Sequence, residues 1–205
     1  MRGGAAGALV LLAAAIASGE DERLASAISG ALDAGAPSRA VEELLLQSVL
    51  TVGWPRALVA AELWRAAAGP YSDSSPADEG DPSQWPRRGE TTFGIIYGQS
   101  SGKLRARIRA LHPALESWLI NEAYGRTLSR PGLDLKSREM CTIAQTVVLE
   151  TPRQLHSHLL GATRAGATAA EIDDLLRLLD PVLTDRQRTM AASTWTDVRT
   201  ALVTR

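Results

Sequence analysis

The sequence predicts an all-α protein, built as a duplicated helical bundle. Three observations carry that expectation. Alanine and leucine are abundant while aromatics are scarce, with one Phe, three Tyr and five Trp, a composition that favours helix over sheet. Apolar residues recur at three- and four-residue steps in several segments. A stretch near the start is repeated 131 residues later. The 205 residues, 45% of them hydrophobic, are enough to bury a sizeable core.

The first element is the run ALVLLAAAIA at 8–17, preceded by Arg2 and ending in Ala15-Ile16-Ala17. A basic start, a short apolar run and a small-x-small site can mark a secretory signal. The run is too short to cross a bilayer. The competing reading is a buried core helix, and the repeat favours it. Residues 24–45 and 155–176 are identical at nine of 22 positions, including Gly30/Gly161, Ala34-Gly35/Ala165-Gly166 and Leu44-Leu45/Leu175-Leu176. Gly35 and Gly166 follow apolar helical runs and precede new helix starts. Thr168-x-x-Glu171 has the form of a capping box, and Pro37 suits a first turn. Carried backwards, the register lays GALVLLAAAIAS at 7–18 over REMCTIAQTVVL at 138–149. Residues 1–17 are therefore expected to stay in the mature chain, with a cytoplasmic location.

Each copy reads as helix, break, helix, Gly turn, helix. The expected organisation is a degenerate first copy at 1–69, a polar linker at 70–90 and a more complete second copy at 91–205. The linker is rich in Pro, Ser, Asp and Gly, with Trp85 to tack it down. Lys103 to Ile120 is amphipathic and is broken or kinked at Pro113. Arg105, Arg107 and Arg109 form its solvated face. A turn follows at Arg130-Pro131-Gly132-Leu133, and Asp134 or Ser137 caps the next helix.

Charge and cysteine usage exclude several functions. Basic and acidic residues number 22 and 23, which gives nucleic acid or an anionic membrane no purchase. One cysteine rules out an internal disulfide and a dithiol redox centre. His156 and His158, two apart, point to different sides of a helix. No HExxH or Cys/His spacing makes a metal site. No phosphate loop or nucleophile elbow occurs.

The helix pair 138–149 and 153–165 is where chemistry concentrates. Glu139 lies near the start of one helix. His158 shares the inward face of the other with Leu155 and Ala162. The first copy has Ala8 and Ala27 at these positions. Two readings stand open on these residues alone. The pair can transfer protons, or Glu139 complements a helix dipole while His158 is a satisfied core histidine.

A string of motifs spans residues 88–176. It runs Tyr97-Gly98, Glu122-x-Tyr124-Gly125, Ser129-Arg130-Pro131-Gly132-Leu133-Asp134 and Arg138-Glu139-Met140. It ends with Gln154-Leu155-x-x-His158-x-x-x-Ala162-x-x-x-Gly166-Ala167-Thr168-x-x-Glu171-Ile172. This string resembles the carboxymuconolactone decarboxylase family, which includes the alkyl hydroperoxidase D-like proteins. The first half resembles it at Ala34-Gly35-Ala36, Gln47-Ser48 and Val52 to Ala57. Thr184-Asp185-Arg186 stands in the second half where the first has its Gly-x-Pro element.

The resemblance implies an alkyl hydroperoxidase D-like helical bundle, free of cofactor and oligomeric. The peroxidase branch carries Cys-x-x-Cys-x-x-x-His, and its two cysteines fall here on Thr151 and Gln154. A dithiol peroxidase is therefore not expected, and Cys141 reads as a core thiol. The decarboxylase branch implies a lyase or related proton-transfer enzyme on a small carboxylated substrate. His158 would be the proton donor and Glu139 its partner. Arg130 or Arg138 would hold the carboxylate, with Tyr124 and Glu122 lining the pocket. The alternatives are a catalytically silent scaffold or ligand-binding member and, further off, a single-thiol peroxidase.

Overall fold

A computed structural model of the chain describes residues 4–70 and 80–203. The described residues form helices and no strand. The first segment holds α1 (Ala5–Ser18), α2 (Asp21–Asp33) and α3 (Ser38–Ala68). Then come α4 (Trp85–Tyr97), α5 (Ser101–Leu111), α6 (Pro113–Trp118) and a π-helical turn (Leu119–Thr127). The last segment holds α7 (Leu135–Val148), α8 (Pro152–Arg164), α9 (Ala169–Leu179) and α10 (Asp185–Val203).

The offset of 131 governs the helices as well as the letters. α2 and α8 begin and end at that offset, and α9 starts at the offset from α3. Gly53, at φ 72° and ψ 172°, breaks α3 internally, and α10 begins where the second half of α3 would. Gly35 and Gly166 both take positive φ, 65° and 97°, and both sit in the same C-terminal lock. Ala36 N–H donates to Ala31 O at 2.9 Å, and Ala167 N–H to Ala162 O at 2.8 Å. Only this left-handed turn lets the chain reverse while satisfying the last carbonyls, so glycine recurs there. The correspondence reaches Trp64 and Trp195, both buried, beyond the span in which the letters align.

α1 is a core helix. Leu12 and Ile16 are fully buried, with Leu9 and Val10 nearly so, and α1 packs against α2, α3, α7 and α9. Burying each such side chain is worth about 1.5–3 kcal/mol, so the run at 8–17 is accounted for by packing. Both segments contribute to one main core, from Leu24 and Leu44 on one side to Leu155, Ile172 and Val198 on the other.

A second, small cluster joins Phe93 and Ile96 of α4 to Ile120, Tyr124 and Leu128. There the backbones nearly touch: a Cβ on Gly89 would meet Ile120 O at 2.0 Å, and one on Gly125 would meet Trp85 O at 2.1 Å. α4 begins at Trp85, inside the segment expected to be linker. Its first turns pack through glycine, so the apolar period that marks a helix is missing there. Positions 71–79 of that linker lie outside the described residues.

The helix expected over 103–120 is interrupted as predicted, with His112 extended and Pro113 opening α6. His112 Nδ1 accepts from Ala114 N–H at 3.1 Å, so this histidine is a cap. The arginine face is only partly solvated. Arg105 and Arg109 both reach the buried Glu116, at 2.6 and 3.1 Å, and clamp α5 to α6. Asp134 caps α7 by accepting from Ser137 N–H at 3.0 Å, and the Thr168–Glu171 capping box is formed.

Candidate functional site

α7 and α8 pack against each other and bring Glu139 and His158 together. His158 Nδ1 lies 2.9 Å from Glu139 Oε2. Glu139 is 1% exposed and the His158 side chain 16%. Glu139 lies in the second turn of α7, facing inward, so a helix-dipole role is not what places it. Nδ1 is the ring nitrogen that meets the buried carboxylate, which leaves Nε2 for other partners. Gly161, one turn beyond His158, makes room for the carboxylate. A Cβ there would come within 2.5 Å of Glu139 Oε2 and 3.0 Å of Ile96 Cγ2.

His158 opens onto a cavity of about 680 Å³ formed where the small cluster meets the main core. α7 and α8 supply one side through Thr142, Thr146 and His158. α3 supplies Leu50, and the π-helical turn supplies Glu122 and Tyr124. The turn is π-helical because Leu128 N–H reaches back five residues to Ala123 O, at 2.8 Å. Such bulges re-aim side chains and recur at functional sites. Tyr124 O–H donates to Tyr97 Oη at 3.0 Å. Burial pushes both phenols above their ordinary value, and the nearby Glu139 carboxylate adds to this. Both stay protonated, as donors.

Two of the expected site residues lie elsewhere. Arg138 is fully buried and Arg130 nearly so, and neither lines the cavity. Both are tied to Glu43 of α3. Arg138 Nη2 reaches Glu43 Oε2 at 2.8 Å, and Arg130 Nε lies 3.1 Å from both Glu43 oxygens. Arg138 also donates to the carbonyls of Leu133 and Arg130, both at 3.0 Å, and to Gln47 Oε1 at 3.2 Å. The expectation that either holds a substrate carboxylate is thus replaced by a structural role: they join α3 to the Arg130 turn and α7. Nothing in the local sequence around Glu43 announces this, because its partners are 87 and 95 positions away.

The model of the "Carboxymuconolactone decarboxylase family" matches residues 7–66 and 115–197. The chain belongs to the carboxymuconolactone decarboxylase family. No curated protein matches it. The family model matches in two regions, and the first has alanine where the second has Glu139 and His158. Ala8 and Ala27, at the positions of Glu139 and His158, line a smaller cavity of about 320 Å³ together with Gly30. The residues at the peroxidase cysteine positions, Thr151 and Gln154, do face the larger cavity. Sequence reasoning missed Tyr97 as a site residue, although its Tyr-Gly pair was part of the family string.

The paired glycines make a prediction. Gly30 has open space where its Cβ would stand, so Gly30→Ala should gain about 0.5–1 kcal/mol from helix propensity. Gly161→Ala makes the same change in α8 but drives into Glu139. It is expected to cost about 1–3 kcal/mol, because the buried carboxylate and Ile96 have to shift. Thermal melts of both variants check this, and equal shifts of the two would contradict it.

Cys141 lies on α7 with 1% exposure. Burial pushes its thiol up to about 12, so almost no thiolate is present at pH 8. The folded protein is expected to resist an aromatic disulfide reagent and to react once unfolded in urea. Complete labelling of the folded chain within minutes would revive single-thiol chemistry.

Proposed function

We propose that this protein is a cofactor-free proton-transfer enzyme, with His158 as the acid–base group and Glu139 as its positioning partner. The observation that carries the reading is the 2.9 Å contact between His158 Nδ1 and the buried Glu139, with His158 at the wall of a cavity. A histidine that merely filled core would have no space in front of it. Nε2 takes a proton from carbon beside a carbonyl, while charge collects on the carbonyl oxygen. The protonated Tyr97 can donate to that oxygen. Glu139 stabilises the imidazolium, and the proton returns to carbon from Nε2. In the decarboxylating version, the bond to a carboxylate breaks and carbon dioxide leaves; His158, entering as the imidazolium, gives its Nε2 proton to the resulting carbanion and takes another from water. All the groups this needs are side chains of the chain itself.

The reading is tested by deuterium incorporation from heavy water into a panel of lactones, ketones and keto acids, followed by NMR. Uptake that disappears in His158→Ala supports it. Unchanged uptake in that variant, or none in the native protein, favours the scaffold reading. We also propose that the protein is cytoplasmic and a homo-oligomer. Leu46, Leu50, Trp54 and Leu58 leave an exposed apolar row on α3, with Trp54 65% exposed, which suits burial against another copy. Light scattering is expected to give a mass of at least two chains, and a monomer mass at micromolar concentration would contradict this.

A further inference from the structure

We infer that the cavity beside His158 takes an uncharged, largely apolar carbonyl compound, and not the carboxylate that the family resemblance implies. The inference rests on the proton-transfer reading for the role of His158 and deepens it by naming the substrate class.

Charge and polar capacity both point this way. Among the described residues no Lys or Arg lines the cavity, and its one carboxylate is Glu122, at the rim. Glu122 is half exposed and lies 3.6 Å from Arg126. Arg130 and Arg138 are bound to Glu43. Arg164, near Tyr97, donates to Ile96 O at 2.7 Å. A carboxylate entering this space would leave water without gaining a Lys or Arg partner, and would face a His158 whose Nδ1 is already matched by the Glu139 carboxylate.

The polar side chains on the wall are mostly engaged with the protein. Thr142 Oγ1 donates to Arg138 O and Thr146 Oγ1 to Thr142 O, both at 2.9 Å, so neither hydroxyl proton is free for a ligand. Gln47 bonds to Arg138 through both ends of its amide. Leu50, Leu115, Trp118, Leu119 and Leu149 add apolar surface. What remains to bond a ligand in depth is the Tyr97 hydroxyl, which accepts from Tyr124, and Nε2 of His158. Those are one donor and one base, the complement of a single carbonyl with an acidic carbon beside it. A volume of about 680 Å³ suits a compound of one or two rings. With no carboxylate to lose, the reaction on such a compound is enolisation or isomerisation.

The test uses the full-length protein and matched probes by calorimetry. These are coumarin against coumarin-3-carboxylate, and 2-acetylnaphthalene against 2-naphthoate. The neutral member of each pair is expected to bind saturably and at least tenfold tighter. Tyr97→Phe should weaken the neutral probes about tenfold. Gln154→Arg, on an exposed cavity position, should narrow the preference by bringing a cation to the wall. Carboxylates that bind equally well or better, or neutral probes that fail to saturate at millimolar concentration, overturn the inference. The same titrations in His158→Ala separate the two readings. Selectivity retained there without deuterium incorporation in the native protein upholds the substrate class and removes the proton transfer. Incorporation without selectivity does the reverse.

Discussion

Glu43→Ala is expected to destabilise the protein by about 3–5 kcal/mol, because it leaves two buried guanidinium groups without their counter-charge. Arg138 is fully buried, and the Arg130 side chain is 8% exposed. Burial pulls the Arg138 pKa below its ordinary value, and the Glu43 carboxylate opposes that pull. With the carboxylate gone, Arg138 keeps only the carbonyls of Leu133 and Arg130 and the Gln47 amide oxygen. Those bonds do not neutralise a charge. The loss is a large part of the roughly 5–15 kcal/mol that holds a typical domain, so the variant should melt many degrees lower or collect as insoluble protein. Urea unfolding of Glu43→Ala against native protein measures it. Glu43→Gln, which keeps the shape and one acceptor, should fall between the two. A Glu43→Ala cost below about 1 kcal/mol would show that the triad is not an anchor.

His158→Ala should reduce turnover by about 10²–10⁴, the usual contribution of a positioned acid–base group, while the melting temperature moves little. The side chain lines the cavity, so its removal enlarges an existing space more than it opens a new one. Its partner tells the two roles apart. Glu139→Gln keeps the volume and an acceptor for Nδ1–H but removes the charge that stabilises an imidazolium. It should lower kcat more than it raises KM, because the stabilised charge exists in the transition state. A merely structural Glu139 would give a stability loss with the pH profile of the remaining activity unchanged. Activity within about threefold of native in His158→Ala would remove His158 from the mechanism.

Much of this site is legible in the sequence. Glu139 and His158 stand out because a charged or titratable residue on an otherwise apolar helical face has to find a partner. The repeat sharpens this by showing alanine at both positions in the other copy. Local rules also place the Asp134 cap, the Thr168–Glu171 box and the break at Pro113, each of which depends on residues within one turn. Arg130 and Arg138 show where such reading stops. Their type and place in the motif suggest anion binding, but a guanidinium recognises any carboxylate. Whether that is a ligand's or Glu43's is decided by which helices meet.

The helical class, the offset of 131, the turns at Gly35 and Gly166 and the inward positions of Glu139 and His158 are written in the residues themselves. These follow from backbone preference and helical period, which act over a few residues. The packing of the helices settled what remained, beginning with the contact that joins Glu139 to His158. It set Gly30 in open space and Gly161 against a carboxylate, though the two align in the repeat. It hid α4 behind a glycine contact that carries no apolar period. It bound two arginines to Glu43 across 87 and 95 positions and kept the Lys and Arg side chains of the described residues off the cavity beside His158. Contacts between distant segments fix charge neutralisation and close approach, and no local pattern encodes either.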